Sequence, residues 1–160
     1  MPLPKDASDA DPAQAQQLFL SNQLCFALYA TSLAMTKVYR PLLAGLGLTY
    51  PQYVVMMALW QHGELGMGQL GKLVALDSGT LAPLVRKLVG LDLVTRQRTV
   101  GDDRSVLVSL TAAGLALRER AHRVHESVRC ATRSSPEQII GLTEQLQTLR
   151  TFLLGTAGQD

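Results

Sequence analysis

A mainly α-helical fold with one small β-hairpin is what this 160-residue chain predicts, on three observations. Apolar residues are plentiful at 47% while aromatics are scarce at 5%, which fits a core of Leu, Val, Ala and Met packed between helices better than a β-sandwich. Those apolar residues recur at helical spacing over most of the chain. One stretch departs from that period: Val106, Val108 and Leu110 alternate with Ser105, Leu107 and Ser109, as a half-buried strand should. A chain of this length can bury one good core, so a single domain is expected.

Residues 1–15 mix Pro, Asp and Ala without an apolar period and read as a flexible N-terminal tail. The domain is expected over 16–160. From Gln17 to Leu43, the spacing of Leu24, Leu28, Met35, Val38 and Leu42 predicts one long helix that ends before Gly45 and Gly47. Thr49 can cap the next helix, and Pro51 costs little in its first turn because early amides have no intrahelical acceptor. Tyr53, Val54, Met57, Ala58 and Trp60 give that helix its buried face, and His62-Gly63 ends it.

Met67 to Leu76 reads as a short helix, with Leu70, Leu73 and Val74 inward and Asp77-Ser78-Gly79 as the turn that follows. The next helix carries a core stripe of Leu81, Leu84, Val85 and Leu88, leaving Thr80, Pro83, Arg86 and Lys87 nearer solvent. Pro83 places its start near Thr80, because an interior proline removes a hydrogen bond and clashes with the carbonyl four residues back. Gly90 ends this helix, Asp92 to Arg98 is a strand, and the hairpin tip is Thr99 to Asp103, with Gly101 available for any positive φ. Thr111 caps another long helix, to about Arg129, studded with Arg118, Arg120, Arg123 and Arg129. Ser135-Pro136-Glu137-Gln138 is a capping box, and it opens a final helix carrying Ile139, Ile140, Leu142, Leu146, Leu149, Phe152 and Leu153 to near Leu154.

Charge narrows the function less than order does. Fifteen basic and 13 acidic residues leave a net +2. Two stretches, Pro12 to Thr36 and Pro41 to Gly63, hold no charged residue. Glutamines and hydroxyls interrupt the first, and Gly45, Gly47 and Pro51 the second, whereas a membrane span needs about 20 predominantly apolar residues. Nor does the start resemble a secretory signal. A cytoplasmic protein with no membrane contact is expected, and its two cysteines are then buried or redox-active rather than a permanent staple.

Helix, turn, helix and charged hairpin in succession over 49–111 is the winged form of the helix-turn-helix. A major groove about 12 Å wide accepts one helix, which enters by its N-terminal end. Here that end is Asp77-Ser78-Gly79-Thr80, where small hydroxyls reach phosphates or base edges and helix-terminal amides favour the negative backbone. Arg86 and Lys87 follow along the helix. The wing carries Arg98 and Arg104, and an arginine at a hairpin tip suits a narrow minor groove. Asp102, two residues before Arg104, is placed to orient its guanidinium. Double-stranded DNA is the expected partner.

DSGTLAPLVRKL followed by GDDRSVLVSLT resembles the MarR family of winged-helix transcription regulators, whose wing pattern is matched by Asp102, Arg104, Ser105, Leu110 and Thr111. The upstream NQLCFALYATSLAMTKVYRPLLAGLGLTYPQY is similar to a narrower branch, the organic hydroperoxide-sensing repressors called OhrR. The resemblance covers about residues 18 to 130. It implies a homodimer joined through helices 16–44 and 112–155, bound to a pseudo-palindromic operator until an organic hydroperoxide oxidises one cysteine. By motif that cysteine is Cys25, with Tyr39 and Tyr50 implied to meet it across the dimer interface and Cys130 implied to capture it in an intersubunit disulfide.

Read from the residues alone, Cys25 is mid-helix with no basic neighbour in sequence, which suits a buried structural thiol better than a sensor. Tyrosine hydroxyls can donate to a thiolate without adding charge. A second reading keeps the fold and makes the signal a small lipophilic or phenolic ligand, with Cys25 inert. A third, a thiol peroxidase, lacks any C-x-x-C pair, so no enzyme is expected. No cofactor or metal is expected either, since His62, His122 and His125 are scattered.

Overall fold

The structure, a computed structural model, describes residues 16–99 and 102–157. The expected tail over 1–15 and the hairpin tip at Val100-Gly101 lie outside the described residues, as do the side chains of residues 99, 102–105 and 157. Packing divides the chain into two units, residues 1–50 and 51–160.

In the first unit the long helix starts seven residues later than its apolar period predicts. Asn22 Nδ2 donates to the Gln16 carbonyl at 2.8 Å, and Gln23 Nε2 donates to the carbonyls of Gln17 and Phe19. Side-chain bonds of this kind offer the backbone an alternative to helix. Leu20–Asn22 winds into a 3-10 turn, Gln23 is extended as the N-cap, and α1 runs Leu24–Ala44. Cys25 is therefore the second residue of the helix rather than mid-helix. After α1, Leu46 and Leu48 both donate to the Leu43 carbonyl, and Gly47 adopts φ +70. Leu43 is the one described residue of α1 that is buried.

The second unit is built on α2 (Tyr50–His62), whose buried residues are Gln52, Tyr53, Val55, Met56 and Leu59. Of the expected face only Tyr53 is fully buried; Val54, Ala58 and Trp60 are half-buried and Met57 is exposed. Nearly every position from Val54 to Trp60 is apolar, so periodicity there cannot locate a face. Gly63 then turns at φ +79 into β1 (Glu64–Gly66), a strand the sequence reading missed. Three residues are too few to show a period.

Helix α3 (Met67–Val74) stops two residues before the expected Leu76, because Ala75 takes the left-handed conformation at φ 56 and Leu76 N–H donates back to the Gly71 carbonyl. A Cβ on Gly71 would stand 2.9 Å from the Leu76 carbonyl oxygen, so glycine there lets the turn close against the helix. The turn is Ala75-Leu76, and Asp77 is the N-cap of α4 (Ser78–Gly90), which begins two residues before Thr80. Asp77 Oδ1 accepts from Thr80 N–H at 2.9 Å and Oδ2 from Thr80 Oγ1 at 2.8 Å. This cap fixes the start upstream and leaves Pro83 inside the helix, half-buried. Leu81, Val85 and Leu88 are buried as expected; Leu84 is only half-buried.

Asp92 is left-handed at φ 58, so β2 (Val94–Thr99) begins two residues after it. The return strand β3 (Asp102–Leu110) lies between its neighbours, in the antiparallel order β1-β3-β2. Arg98 pairs with Val106 but Thr99 pairs with Asp102, so β3 bulges over residues 103–105. Thr111 caps α5 (Ala112–Thr132) by accepting from Gly114 N–H at 2.9 Å, and the helix runs three residues past Arg129 to a left-handed Arg133. The capping box forms: Ser135 N–H donates to Gln138 Oε1 at 2.9 Å and Gln138 N–H to Ser135 Oγ at 3.3 Å. It opens α6 (Pro136–Ala157), in which no described residue is buried.

Candidate nucleic-acid interface and thiol site

Helix α4 buries one side and presents the other. With Leu81, Val85 and Leu88 inward, the 3.6-residue period puts Gly79, Thr80, Pro83, Arg86 and Lys87 on the opposite side. Ser78, Gly79, Thr80, Arg86 and Lys87 are all exposed. The first-turn amides of a helix lack intrahelical acceptors and carry the positive end of its dipole. Asp77 accepts from Thr80 with both oxygens, which braces this end of the helix. Arg96 and Arg98 are exposed on β2, two residues apart and so on one face of the hairpin. The backbone of Asp102 and Arg104 belongs to β3 at the bulged end of that hairpin.

Thr80 N–H is the main cause, and its hydroxyl the second, that holds the Asp77 carboxyl below its ordinary 3.8. A carboxyl depressed in the folded state contributes stability above its unfolded pKa and loses it as pH falls through the folded value. We expect the melting temperature of the protein to fall below about pH 4 with a component that Asp77→Ala lacks. Circular-dichroism melts from pH 5 down to pH 2 check this, and parallel acid profiles for the two proteins would remove Asp77 from the account.

The hairpin is held at its root by a cluster of bonds. Leu93 N–H donates to the Leu88 carbonyl, Thr111 N–H to the Leu93 carbonyl at 3.1 Å, and Thr111 Oγ1 to the Asp92 carbonyl at 2.6 Å. Trp60 Nε1 donates to the Gly114 carbonyl at 2.8 Å. A Cβ on Gly114 would lie 2.0 Å from the Leu93 carbonyl oxygen. The first turn of α5 therefore rests directly on the peptide that leads into β2. Nothing in the sequence reading found this joint; the one signal available was a glycine in the first turn after a capping threonine.

Both thiols are exposed. Leu24, Phe26 and Leu28 beside it are exposed as well, so the thiol sits on an apolar surface at a helix N-terminus. The structure brings Tyr39 and Tyr50 together, with ring centroids 4.8 Å apart and planes tilted by 52°. It does not bring them to Cys25 within one chain: Tyr39 lies fourteen residues further along α1, about 21 Å at 1.5 Å per residue. Cys130 is in the last turn of α5. Among the described residues no group of His, Cys, Asp or Glu is arranged to hold a metal, and no helix is long and apolar enough to cross a membrane.

Comparison with known proteins decides the family. Residues 37–120 match the family model described as transcriptional regulator SarA/Rot. The organic hydroperoxide resistance transcriptional regulator of Bacillus subtilis is 44% identical over 130 residues, 81% of this chain and 88% of that protein. The chain belongs to the MarR-type winged-helix transcriptional regulators, in their organic hydroperoxide resistance branch. Among solved structures, AbfR of Staphylococcus epidermidis is similar to this regulator in three chemical states. The reduced form bound to DNA has a TM-score of 0.70 at 30% identity, covering 88% of this chain and 98% of that one. The overoxidised form bound to DNA also scores 0.70 at 30% identity, covering 87% and 98%. The disulfide-formed AbfR scores 0.61 at 30% identity, covering 86% and 96%. These relatives are regulators, and the expectation that the chain is no enzyme stands with them.

Proposed function

We propose that this regulator is a homodimeric repressor that holds its operator through α4 and the wing, and releases it when an organic hydroperoxide oxidises Cys25. The observation that carries the reading is the exposed face of α4, from Ser78 to Lys87, beside a hairpin bearing Arg96 and Arg98. Ser78, Gly79 and Thr80 meet the groove first, Arg86 and Lys87 follow, and Arg104 enters the minor groove with Asp102 to orient it.

A second copy is what the uncovered apolar residues call for. Ile139, Leu142, Leu146, Leu149 and Leu153 repeat along α6 at alternating spacings of three and four, the seam of a helix that packs on another. Leu142 is 58% and Leu153 59% exposed. Leu24, Leu28, Thr31, Met35, Val38 and Leu42 give α1 a seam of the same kind. Tyr39 is two heptads from Cys25, so the two share a face of α1. An antiparallel crossing of two copies of α1 centred on Ser32, midway between them, sets each Cys25 level with Tyr39 of the partner subunit.

The chemistry balances with peroxide as the oxidant. The Cys25 sulfur takes the terminal oxygen of ROOH, the O–O bond breaks, and the products are a sulfenic acid and the alcohol ROH. Cys130 of the partner subunit then attacks that sulfur, forming S–S and releasing water. The overoxidised AbfR is described as bound to DNA, which supports the disulfide, and not oxidation alone, as the releasing step. A disulfide requires Cα atoms within about 7 Å, and helices that move to meet this requirement carry the two reading heads with them. Half-sites stand about 34 to 36 Å apart, so a shift of several ångströms ends simultaneous docking.

Non-reducing electrophoresis before and after organic hydroperoxide tests the scheme. A covalent dimer that thiol reductant reverses is expected, and it should be absent from Cys130→Ser. A band that stays monomeric in the native protein would remove Cys130 from the mechanism.

A second reading has its own observation. An open cavity of about 450 Å³ lies beside the α3–α4 turn, with Met67, Leu76, Leu81 and Leu154 as apolar lining, Lys72 and Arg150 as cations and Asp77, already engaged with Thr80, as the one acid. That lining suits a small lipophilic acid. On this reading a thiol-free protein still releases DNA when the acid is added, with no peroxide present.

A further inference from the structure

The joint between Trp60, Gly114 and Leu93 does more than hold α5 in place. We infer that Trp60 is a positioning residue for DNA binding, setting the angle between the wing and α4 through the first turn of α5. The inference rests on the reading of α4 and the wing as the two DNA-contacting parts.

Two parts that read one duplex must keep a fixed separation, and the chain between them is short. From the end of α4 at Gly90 to the start of β2 at Val94 there are three residues, one of them left-handed at φ 58. All three link residues donate back to α4, Leu91 to Lys87, Asp92 to Val89 and Leu93 to Leu88, and a second attachment ties the link to α5. What attaches is the Leu93 peptide, whose carbonyl accepts from Thr111 N–H at 3.1 Å while its neighbour, the Asp92 carbonyl, accepts from Thr111 Oγ1 at 2.6 Å. Gly114 lies against that same carbonyl of Leu93, closer than any side chain would allow. Gly114 is itself held twice, by its N–H on Thr111 Oγ1 at 2.9 Å and by the indole N–H on its carbonyl at 2.8 Å. Trp60 is fixed in turn by its edge contact with Tyr53, at 6.0 Å between centroids and 69° between planes, and Tyr53 is buried. A continuous path thus runs from the core of α2 through the indole and the α5 backbone to the root of the wing.

The hydrogen bond is separable from the packing. Trp60→Phe keeps an aromatic ring against Tyr53 and deletes the donor. A residue that merely stabilises the fold would weaken operator binding equally whether or not the wing contacts DNA. A residue that positions the wing has nothing left to position once the wing contact is gone. We therefore expect Trp60→Phe to weaken operator binding about tenfold in the native background, and by less than about threefold in an Arg104→Ala background. Fluorescence anisotropy with a labelled operator reads both, with circular dichroism to establish that each protein is folded.

Full affinity in Trp60→Phe, or a loss that multiplies with that of Arg104→Ala, overturns the inference while leaving the wing reading intact. If Arg104→Ala alone binds normally, it is the wing reading that fails, and the positioning role falls with it. Should Trp60→Phe not fold, Thr111→Val cuts the same brace at the Asp92 carbonyl, and the same cycle applies.

Discussion

After treatment with organic hydroperoxide, the Cys25→Ser protein is expected to keep its operator while the unsubstituted protein loses it. The expected contrast is large because, in the proposed dimer, release abolishes two half-site contacts at once. Specific binding typically exceeds non-specific binding by at least about 10³-fold, and a dimer that can dock one half-site only forfeits most of that margin. Serine keeps the size of the side chain at the start of α1, so binding before treatment should be unchanged. The exposed thiol and the apolar residues around it bear on the outcome, since an apolar surface suits the organic part of the peroxide. Gel shift of a labelled operator, with and without peroxide, is the measurement. Release of the Cys25→Ser protein at the same peroxide dose would sink the thiol mechanism and return attention to the cavity at Lys72 and Arg150.

Gly114→Ala is expected to be the most damaging single substitution in the reading head. The new Cβ would stand 2.0 Å from the Leu93 carbonyl oxygen and 2.9 Å from its carbon. Backbone, unlike a side-chain end, cannot rotate away, so either α5 lifts off the wing root or the wing root moves. Overpacking a well-fitted site costs about 1–3 kcal/mol, and the bonds to Trp60, Thr111 and Asp92 share the same displacement. A loss of about 3 kcal/mol or more follows, lowering the melting temperature by roughly 6–12 °C for a chain of this size. Thermal melts decide it, and a melting temperature within about 2 °C of the native protein would mean that the root of the wing is softer than its geometry implies.

Much of this architecture is written locally in the sequence. The Thr111 cap and the Ser135 capping box each depend on residues within three positions of one another, and both were legible. The strand β3 was legible for the same reason, although Val108 alone among 106–110 is buried and its neighbours on both faces are half-buried. What escaped depends on partners distant in sequence or on competition between nearby bonds. Strand β1 exists because β3 accepts it, Glu64 opposite Ser109 and Gly66 opposite Leu107, and three residues announce nothing on their own. The buried side of α2 is chosen by what packs on it, since its sequence is apolar almost all round. The start of α1 was misplaced because the apolar period runs on through Leu18 and Leu20, while Asn22 and Gln23 turn their amides back on the preceding carbonyls. That error mattered for the candidate site, because it hid the place of Cys25 in the first turn of its helix. At the other end of the DNA-reading head, Pro83 argued for a late start to α4 and the Asp77 cap prevailed.

Trp60 is the only tryptophan in the chain, and its indole N–H is tied to the carbonyl that steadies the root of the wing. The protein consequently carries its own optical probe at the one joint where α2, α5 and the hairpin meet. Any rearrangement of that joint, whether operator or oxidant provokes it, changes the polarity and hydrogen bonding around a single emitter, and can be followed in real time without attaching a label.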